Sequence, residues 1–417
     1  MKYAILVWLT LAAIGLQTCN EPVSDPEPKN NIVEEYDDVY QTRFQAYLES
    51  NLAGLSFYDP LNEVIGSDEY VPFTPATSAN ISPEAIESAI EYLENRRSTS
   101  FMIWHEGQLV ARKYFGEQDP NGTINSRSLA KPIGVVAVGR AIKAGHIKSL
   151  DQPVSDFFTE WKSDERSKIL VRHLLDMRTG LMMQSEGPDP NHIMNRAYLH
   201  PAHDQVIIDE YPLVNEPGTR YDYSNANAEL VAPLLERATG VEYEDWVSDE
   251  VLKPIGAKGG QVWMNREDGT AHSGCCILLP PETFMRIAIL YLQDGVWDGT
   301  RLLSKNFMEQ ISTATPQNPH SGMGVYLAGK YVVKRGPLNP DMNLGQQTHG
   351  EPYLADDLFL FDGNGNQVAY IIPSADMVIF RSGTWPPKEL GWDNSMLPNL
   401  ILAGTNFSEG QRPVPQK

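Results

Sequence analysis

Ser128-Leu129-Ala130-Lys131-Pro132-Ile133-Gly134-Val135-Val136-Ala137-Val138-Gly139-Arg140-Ala141-Ile142-Lys143-Ala144 is the stretch from which the fold is read. From Lys131 onward it is Ile, Val, Ala and Gly with almost no polar face, the pattern of a helix buried all round, and Gly145 supplies the stop. Working outward, Ser82-Pro83-Glu84-Ala85 reads as a helix start, with Ser as the cap and Pro at the first position, and predicts a helix to about Arg97. Phe101–Trp104 and Leu109–Phe115 flank a Gly-containing turn and predict a hairpin. The stretch from Leu150 to about Ala257 reads as mainly helical, followed by helices over Pro281–Asp294 and Ser304–Thr313. Strands then return, one opening at Gly322–Tyr326, then Leu358–Phe361, Val368–Ile372 and Met377–Phe380. Strands early and late with helices between predict an α/β (α+β) architecture. One antiparallel sheet is built from both ends of the chain and flanked by helices, with an all-helical region at about 150–270 inserted.

The 417 residues, 41% of them hydrophobic, suffice for a large core. The net charge of −21 argues against a phosphate-backbone partner, since nucleic-acid binding relies on clustered Lys and Arg. At the N-terminus Lys2 precedes an apolar run, Ala4 to Leu16, too short to span a bilayer and proportioned like a signal-peptide core. It ends in Leu16-Gln17-Thr18-Cys19-Asn20, similar to the bacterial lipoprotein processing box. The expectation is a leader over residues 1–18 and a lipid on Cys19 that anchors the exported protein to the cell envelope, periplasmic or outer-membrane, without crossing it. An ordinary secreted protein is the alternative. Residues 19–55 are expected to form an acidic tether and 56–417 the folded domain.

Beyond Cys19 only Cys275 and Cys276 remain. Adjacent cysteines close a strained eight-membered ring when bonded, so two buried thiols are expected. No metal site is expected: the Cys pair has no second pair at ligand spacing, and His200-Pro201-Ala202-His203 has a proline between its histidines. No cofactor motif stands out.

The chemistry rests on two short motifs. In Ser128-Leu129-Ala130-Lys131 a lysine three residues after a serine projects from the same helix face, and burial against the apolar residues that follow pushes its pKa toward neutrality, as a base for the serine requires. Ser-x-x-Lys alone arises by chance on the order of once in a chain this long, and a helix cap followed by an exposed lysine is the competing reading. Tyr223-Ser224-Asn225 adds a phenol able to shuttle a proton and an amide able to orient the lysine or a substrate. By itself that tripeptide is equally compatible with a loop.

Together these motifs resemble the penicillin-recognising serine hydrolases, in particular the branch of class C β-lactamase-like esterases and 6-aminohexanoate-dimer hydrolases. The resemblance runs from about Phe101 to Gly404. It is carried by Ser128–Lys131, by Gly145-His146-Ile147-Lys148-Ser149-Leu150-Asp151-Gln152-Pro153-Val154, and by the helix-to-loop block Ile169–Leu181. Pro217-Gly218-Thr219-Arg220-Tyr221-Asp222-Tyr223-Ser224-Asn225 and Trp392-Asp393-Asn394-Ser395 complete it.

The resemblance implies a β-lactamase/transpeptidase-like fold and an acyl-enzyme mechanism. Ser128 would be the nucleophile, Lys131 the general base and Tyr223 the proton relay, acting on a small ester or amide. It further implies an oxyanion hole from the backbone N–H groups of Ser128 and Asn364, with Asn225 and Gly363 lining the substrate site. The third motif departs from the family: where relatives carry Lys-Thr-Gly or His-x-Gly, this chain has Phe361-Asp362-Gly363. Asp362 would repel the carboxylate of β-lactams and D-alanyl peptides, so weak β-lactamase and carboxypeptidase activity is expected. A cell-wall peptidase or β-lactamase, and a non-catalytic ligand-binding surface lipoprotein, are the alternatives.

Overall fold

A computed structural model describes residues 35–50, 58–77, 80–185, 187–342 and 345–406. The expected leader and Cys19 lie outside the described residues. Among those described, no helix is long and apolar enough to cross a membrane.

The first element corrects the expected tether. Helix α1 (Asp37–Glu49) turns Asp37 and Asp38 outward but buries Tyr40, Phe44 and Tyr47, spaced along one face, against Leu199 and Trp263. The acidic composition hid an aromatic stripe. Strand β1 (Leu61–Val64) follows, then α2 (Pro83–Glu94), whose cap Ser82 accepts a hydrogen bond from the Ala85 N–H at 3.2 Å. Strands β2 (Ser98–His105) and β3 (Gln108–Tyr114) pair as the expected hairpin. After β4 (Ile124–Asn125) comes α3 (Ala130–Ala144), ended by Gly145 in the left-handed conformation at φ 85°. Helix α3 is buried along nearly its whole length, as its composition requires.

The inserted region holds α4 (Val171–Leu175), α5 (Ile193–Leu199), α6 (His203–Glu210), α7 (Asn225–Glu229), α8 (Val231–Thr239) and α9 (Tyr243–Val247). It is not helical to residue 270. Strand β5 (Gly260–Trp263) lies within the predicted stretch and joins β6 (Ile277–Leu279) in a small antiparallel sheet of order β1-β5-β6-β4. Helices α10 (Pro281–Leu292) and α11 (Lys305–Ile311) come next. Gly139 of α3 allows α11 to pack closely, because a Cβ there would sit 2.5 Å from the Phe307 ring.

The last third supplies β7 (Tyr326–Leu327), β8 (Phe359–Gly363), β9 (Gln367–Ile372) and β10 (Met377–Gly383), then α12 (Met396–Ala403). Pairing at β7 starts only at Tyr326. The preceding backbone is tied elsewhere, Met323 N–H to the Ile311 carbonyl and Gly324 N–H to the Leu175 carbonyl. The main sheet is antiparallel, in the order β3-β2-β10-β9-β8-β7. Both ends of the chain therefore meet at the β2–β10 pair.

Strand alternation sorts the core into two layers. Met102, Phe359, Phe361, Ala369, Ile371, Val378 and Phe380 face α3, α10 and the inserted helices. Phe101, Ile103, Leu360, Tyr370 and Ile379 face α2 and α12.

Candidate active site

Ser128 sits in a 3-10 turn, Arg127–Leu129, that runs directly into α3. Arg127 holds a left-handed φ of 49°, an unfavourable conformation for a residue with a side chain. It is fixed on both sides, by its N–H donating to Asn125 Oδ1 at 2.9 Å and by its guanidinium donating to the Tyr58 hydroxyl at 2.8 Å. Just before it, fully buried Ser126 exchanges backbone and side-chain bonds with Ile277 of β6. The serine is thus presented from a turn tied by hydrogen bonds at Ser126 and Arg127.

Lys131 lies three residues on, buried on the same helix face. Its Nζ is 3.0 Å from Ser128 Oγ, 2.9 Å from Asn225 Oδ1 and 2.8 Å from the Gly274 carbonyl. The hydroxyl of Tyr223 is 2.8 Å from Ser128 Oγ, and Lys131 Nζ stands 5.0 Å from the centre of the Tyr223 ring. Burial pulls the Lys131 pKa down to about 7, while the carboxyl of Glu229 acts in the opposite direction. A neutral amine has two N–H bonds and one lone pair. With the two bonds given to Asn225 and Gly274, the lone pair is left for the Ser128 hydroxyl.

The four residues read from the two motifs therefore meet at one point. Three others there carried no signal in the sequence. Gln184 fastens the tyrosine segment, its N–H donating to the Tyr223 carbonyl at 2.8 Å and its Oε1 accepting from Asn225 N–H at 2.8 Å. Gly274 acts through its backbone, which no side-chain pattern reveals. Glu229, one turn after Asn225, is fully buried and accepts from Gly274 N–H at 3.2 Å.

Behind Glu229 stand His203 and His272, both fully buried, with nitrogens 3.6 and 3.5 Å from Glu229 Oε2. These three could in principle ligate a metal ion. The two imidazole rings, however, are stacked with centroids 4.1 Å apart and planes 13° from parallel, and His272 stacks in turn on Trp263. One ion cannot lie in both ring planes in that arrangement. His200, the other histidine of the sequence pair, is not in this group.

Gly363 and Asn364 lie at the end of β8, and both line the cleft above Ser128. Gly363 is pressed against the serine turn: a Cβ there would fall 3.2 Å from the Ser126 carbonyl oxygen and 3.3 Å from Leu129. From β9, Gln367 Nε2 donates to the Asn125 carbonyl at 2.7 Å and locks the strand to the turn. Asp362 also borders the cleft, with its carboxylate bonded by Gln347 and by Asn394 Nδ2 at 3.2 Å. Burial pushes its pKa up to about 6, while the bonds from Asn394 and Gln347 favour the ionised form. Asn394 belongs to the late Trp-Asp-Asn-Ser block. The cleft measures about 690 Å³ and includes Tyr47, Tyr198, Trp385 and Trp392 in its walls.

One expectation about the site region is overturned. Cys275 and Cys276 are joined by a disulfide rather than present as two thiols. Within the bonded pair Cys276 has a left-handed φ of 63°, and the Tyr198 hydroxyl lies 3.8 Å from each sulfur.

Known proteins similar to this chain are beta-lactamase-like hydrolases. The beta-lactamase family profile matches residues 86–273. A 6-aminohexanoate-dimer hydrolase of Paenarthrobacter ureafaciens is 21% identical over 363 residues, 82% of this chain and 87% of that one. Among solved structures, a Bacillus anthracis protein assigned as a 6-aminohexanoate-dimer hydrolase superposes with a TM-score of 0.64 at 18% identity, covering 87% of this chain and 93% of its own. A family VIII carboxylesterase gives a TM-score of 0.57 at 13% identity, with 80% and 99% covered.

Proposed function

The chain belongs to the penicillin-recognising serine hydrolase family, with its β-lactamase/transpeptidase-like fold, and from that premise we propose that it is an exported hydrolase cleaving an ester or amide of a small or linear substrate through an acyl-enzyme on Ser128. The observation that carries this reading is the convergence of Tyr223 Oη and Lys131 Nζ on Ser128 Oγ, at 2.8 and 3.0 Å.

In the first step the Ser128 oxygen bonds to the substrate carbonyl carbon while its proton passes to the neutral amine of Lys131. The oxyanion takes the N–H groups of Ser128 and Asn364. The proton then reaches the leaving group by way of Tyr223, the carbon–leaving-group bond breaks, and an ester to Ser128 remains. A water molecule attacks the ester carbon and gives up its proton to the same groups, the bond to Ser128 Oγ breaks, the proton returns to that oxygen, and the acid leaves. Labelling of the protein by a fluorophosphonate probe, absent in Ser128→Ala, tests this. A wild type that resists both the probe and short p-nitrophenyl esters would favour a ligand-binding role.

The third motif bears on the substrate. The Asp362 carboxylate in the cleft wall disfavours an anionic substrate group, so a chromogenic cephalosporin is expected to turn over far more slowly than p-nitrophenyl butyrate. Asp362→Asn removes the charge and keeps the shape. It should lower KM for the cephalosporin about tenfold, the effect of one like charge in a partly solvated cleft, with little change for the neutral ester. Equal turnover of cephalosporin and ester by the wild type would instead point to a β-lactamase.

Export is supported by the signal-like N-terminus and by the Cys275–Cys276 disulfide, which suits an oxidising compartment. Metabolic labelling with palmitate should mark the wild type and not Cys19→Ala. Labelling of neither would leave a plain secreted form.

A further inference from the structure

Residues 273–277 touch the catalytic groups at both ends. At one end the Gly274 carbonyl accepts from Lys131 Nζ at 2.8 Å, and Gly274 N–H is held by Glu229. Ser273 adds a tie to α7 and α8, its Oγ donating to the Ala228 carbonyl at 2.7 Å and accepting from Ala232 N–H at 3.0 Å. At the other end Ile277 N–H donates to Ser126 Oγ at 3.1 Å and the Ile277 carbonyl accepts from Ser126 N–H at 2.9 Å, two residues before the nucleophile. Between these anchors stands the Cys275–Cys276 disulfide, with Cys275 facing the cleft.

We propose that the Cys275–Cys276 disulfide is a positioning element of the catalytic site: it fixes the Gly274–Ile277 turn that holds Lys131 at one end and the Ser128 turn at the other, and a dithiol reductant entering the cleft releases it. This rests on the acyl-enzyme reading above. Cys276 occupies the left-handed region at φ 63°, which is unfavourable for a residue with a side chain. The ring closed with Cys275 holds it there. Once the ring opens, rotation of Cys276 to a negative φ is downhill and swings the peptides on both sides, displacing the Gly274 carbonyl and the Ile277 pair together. The chemistry balances: dithiothreitol gives two electrons and two protons, the sulfur–sulfur bond becomes two thiols, and the reagent closes to its cyclic disulfide.

The test uses the full chain. Thiols at 275 and 276 are counted by mass spectrometry before and after dithiothreitol, and kcat and KM for p-nitrophenyl butyrate are measured in both states. The expected result is no free thiol before and two after, with kcat lowered at least about tenfold, KM little changed, and activity restored on reoxidation. Cys275→Ser/Cys276→Ser should start at the lowered kcat and ignore the reductant. If that variant fails to fold, the wild-type comparison decides alone. Two free thiols in the oxidised protein, or full reduction with kcat unchanged within about twofold, overturns the proposal. Loss of all fluorophosphonate labelling in the untreated wild type would instead defeat the acyl-enzyme reading itself.

Discussion

Ser128→Ala is expected to lower kcat/KM for a neutral ester by at least about 10⁴-fold, equivalent to about 5.5 kcal/mol of transition-state stabilisation. The substitution removes only the Oγ on which Tyr223 and Lys131 converge, and the turn itself survives. Ser126 still binds Ile277, and Gln367 still binds the Asn125 carbonyl. The variant should therefore fold, bind substrate with similar KM and fail at acylation. The small residual rate would be that of the oxyanion donors and the bound geometry acting on water. An alanine variant within tenfold of the wild type would mean that the chemistry runs elsewhere.

The second large effect is on stability. Arg381 on β10 is fully buried, and none of its five bonds goes to a carboxylate. Its guanidinium donates to the carbonyls of Gly365 and Asn366 at 2.7 and 2.8 Å, to those of Arg96 and Thr384 at 2.7 and 3.1 Å, and to Ser98 Oγ at 3.0 Å. Burial lowers its pKa to about 10, which still leaves it charged at neutral pH. Arg381→Met fills similar volume but leaves those buried oxygens without a donor, at a cost of about 3 to 5 kcal/mol. Because two of the carbonyls belong to the turn after Asn364, kcat should fall as well. The denaturant midpoint with an unchanged m-value measures the first effect. A loss below about 1 kcal/mol would show that water replaces the guanidinium.

What the sequence made legible follows from which signals are local. Helix α3 was readable because an all-apolar run followed by glycine has few other fates, and the β2–β3 hairpin because its turn is short. Ser128, Lys131, Tyr223 and Asn225 were readable as motifs, and the structure brings all four together. The α1 helix was missed because its burying face consists of three aromatics scattered among acids and polar residues. Strand β5 was missed because one pairing partner, β1, comes from far earlier in the chain and the other, β6, is only three residues long. Gly274 and Gln184 act through backbone or through a bond to backbone, and such contacts leave no residue pattern. The disulfide was missed because the ring cost was weighed without the backbone bonds that anchor the chain at Gly274 and Ile277 on either side of it.

The Gln367 bond to the Asn125 carbonyl spans 242 residues of chain. At ribosomal rates of about 5 to 20 residues per second, roughly 12 to 50 s pass between the appearance of one partner and the other. In the later part of that time the nascent chain contains serine, lysine and tyrosine, yet lacks the strand that would stabilise a tetrahedral adduct. On the proposed mechanism an unfinished polypeptide is a dormant hydrolase. Its oxyanion site is completed only when that late strand docks on the serine turn.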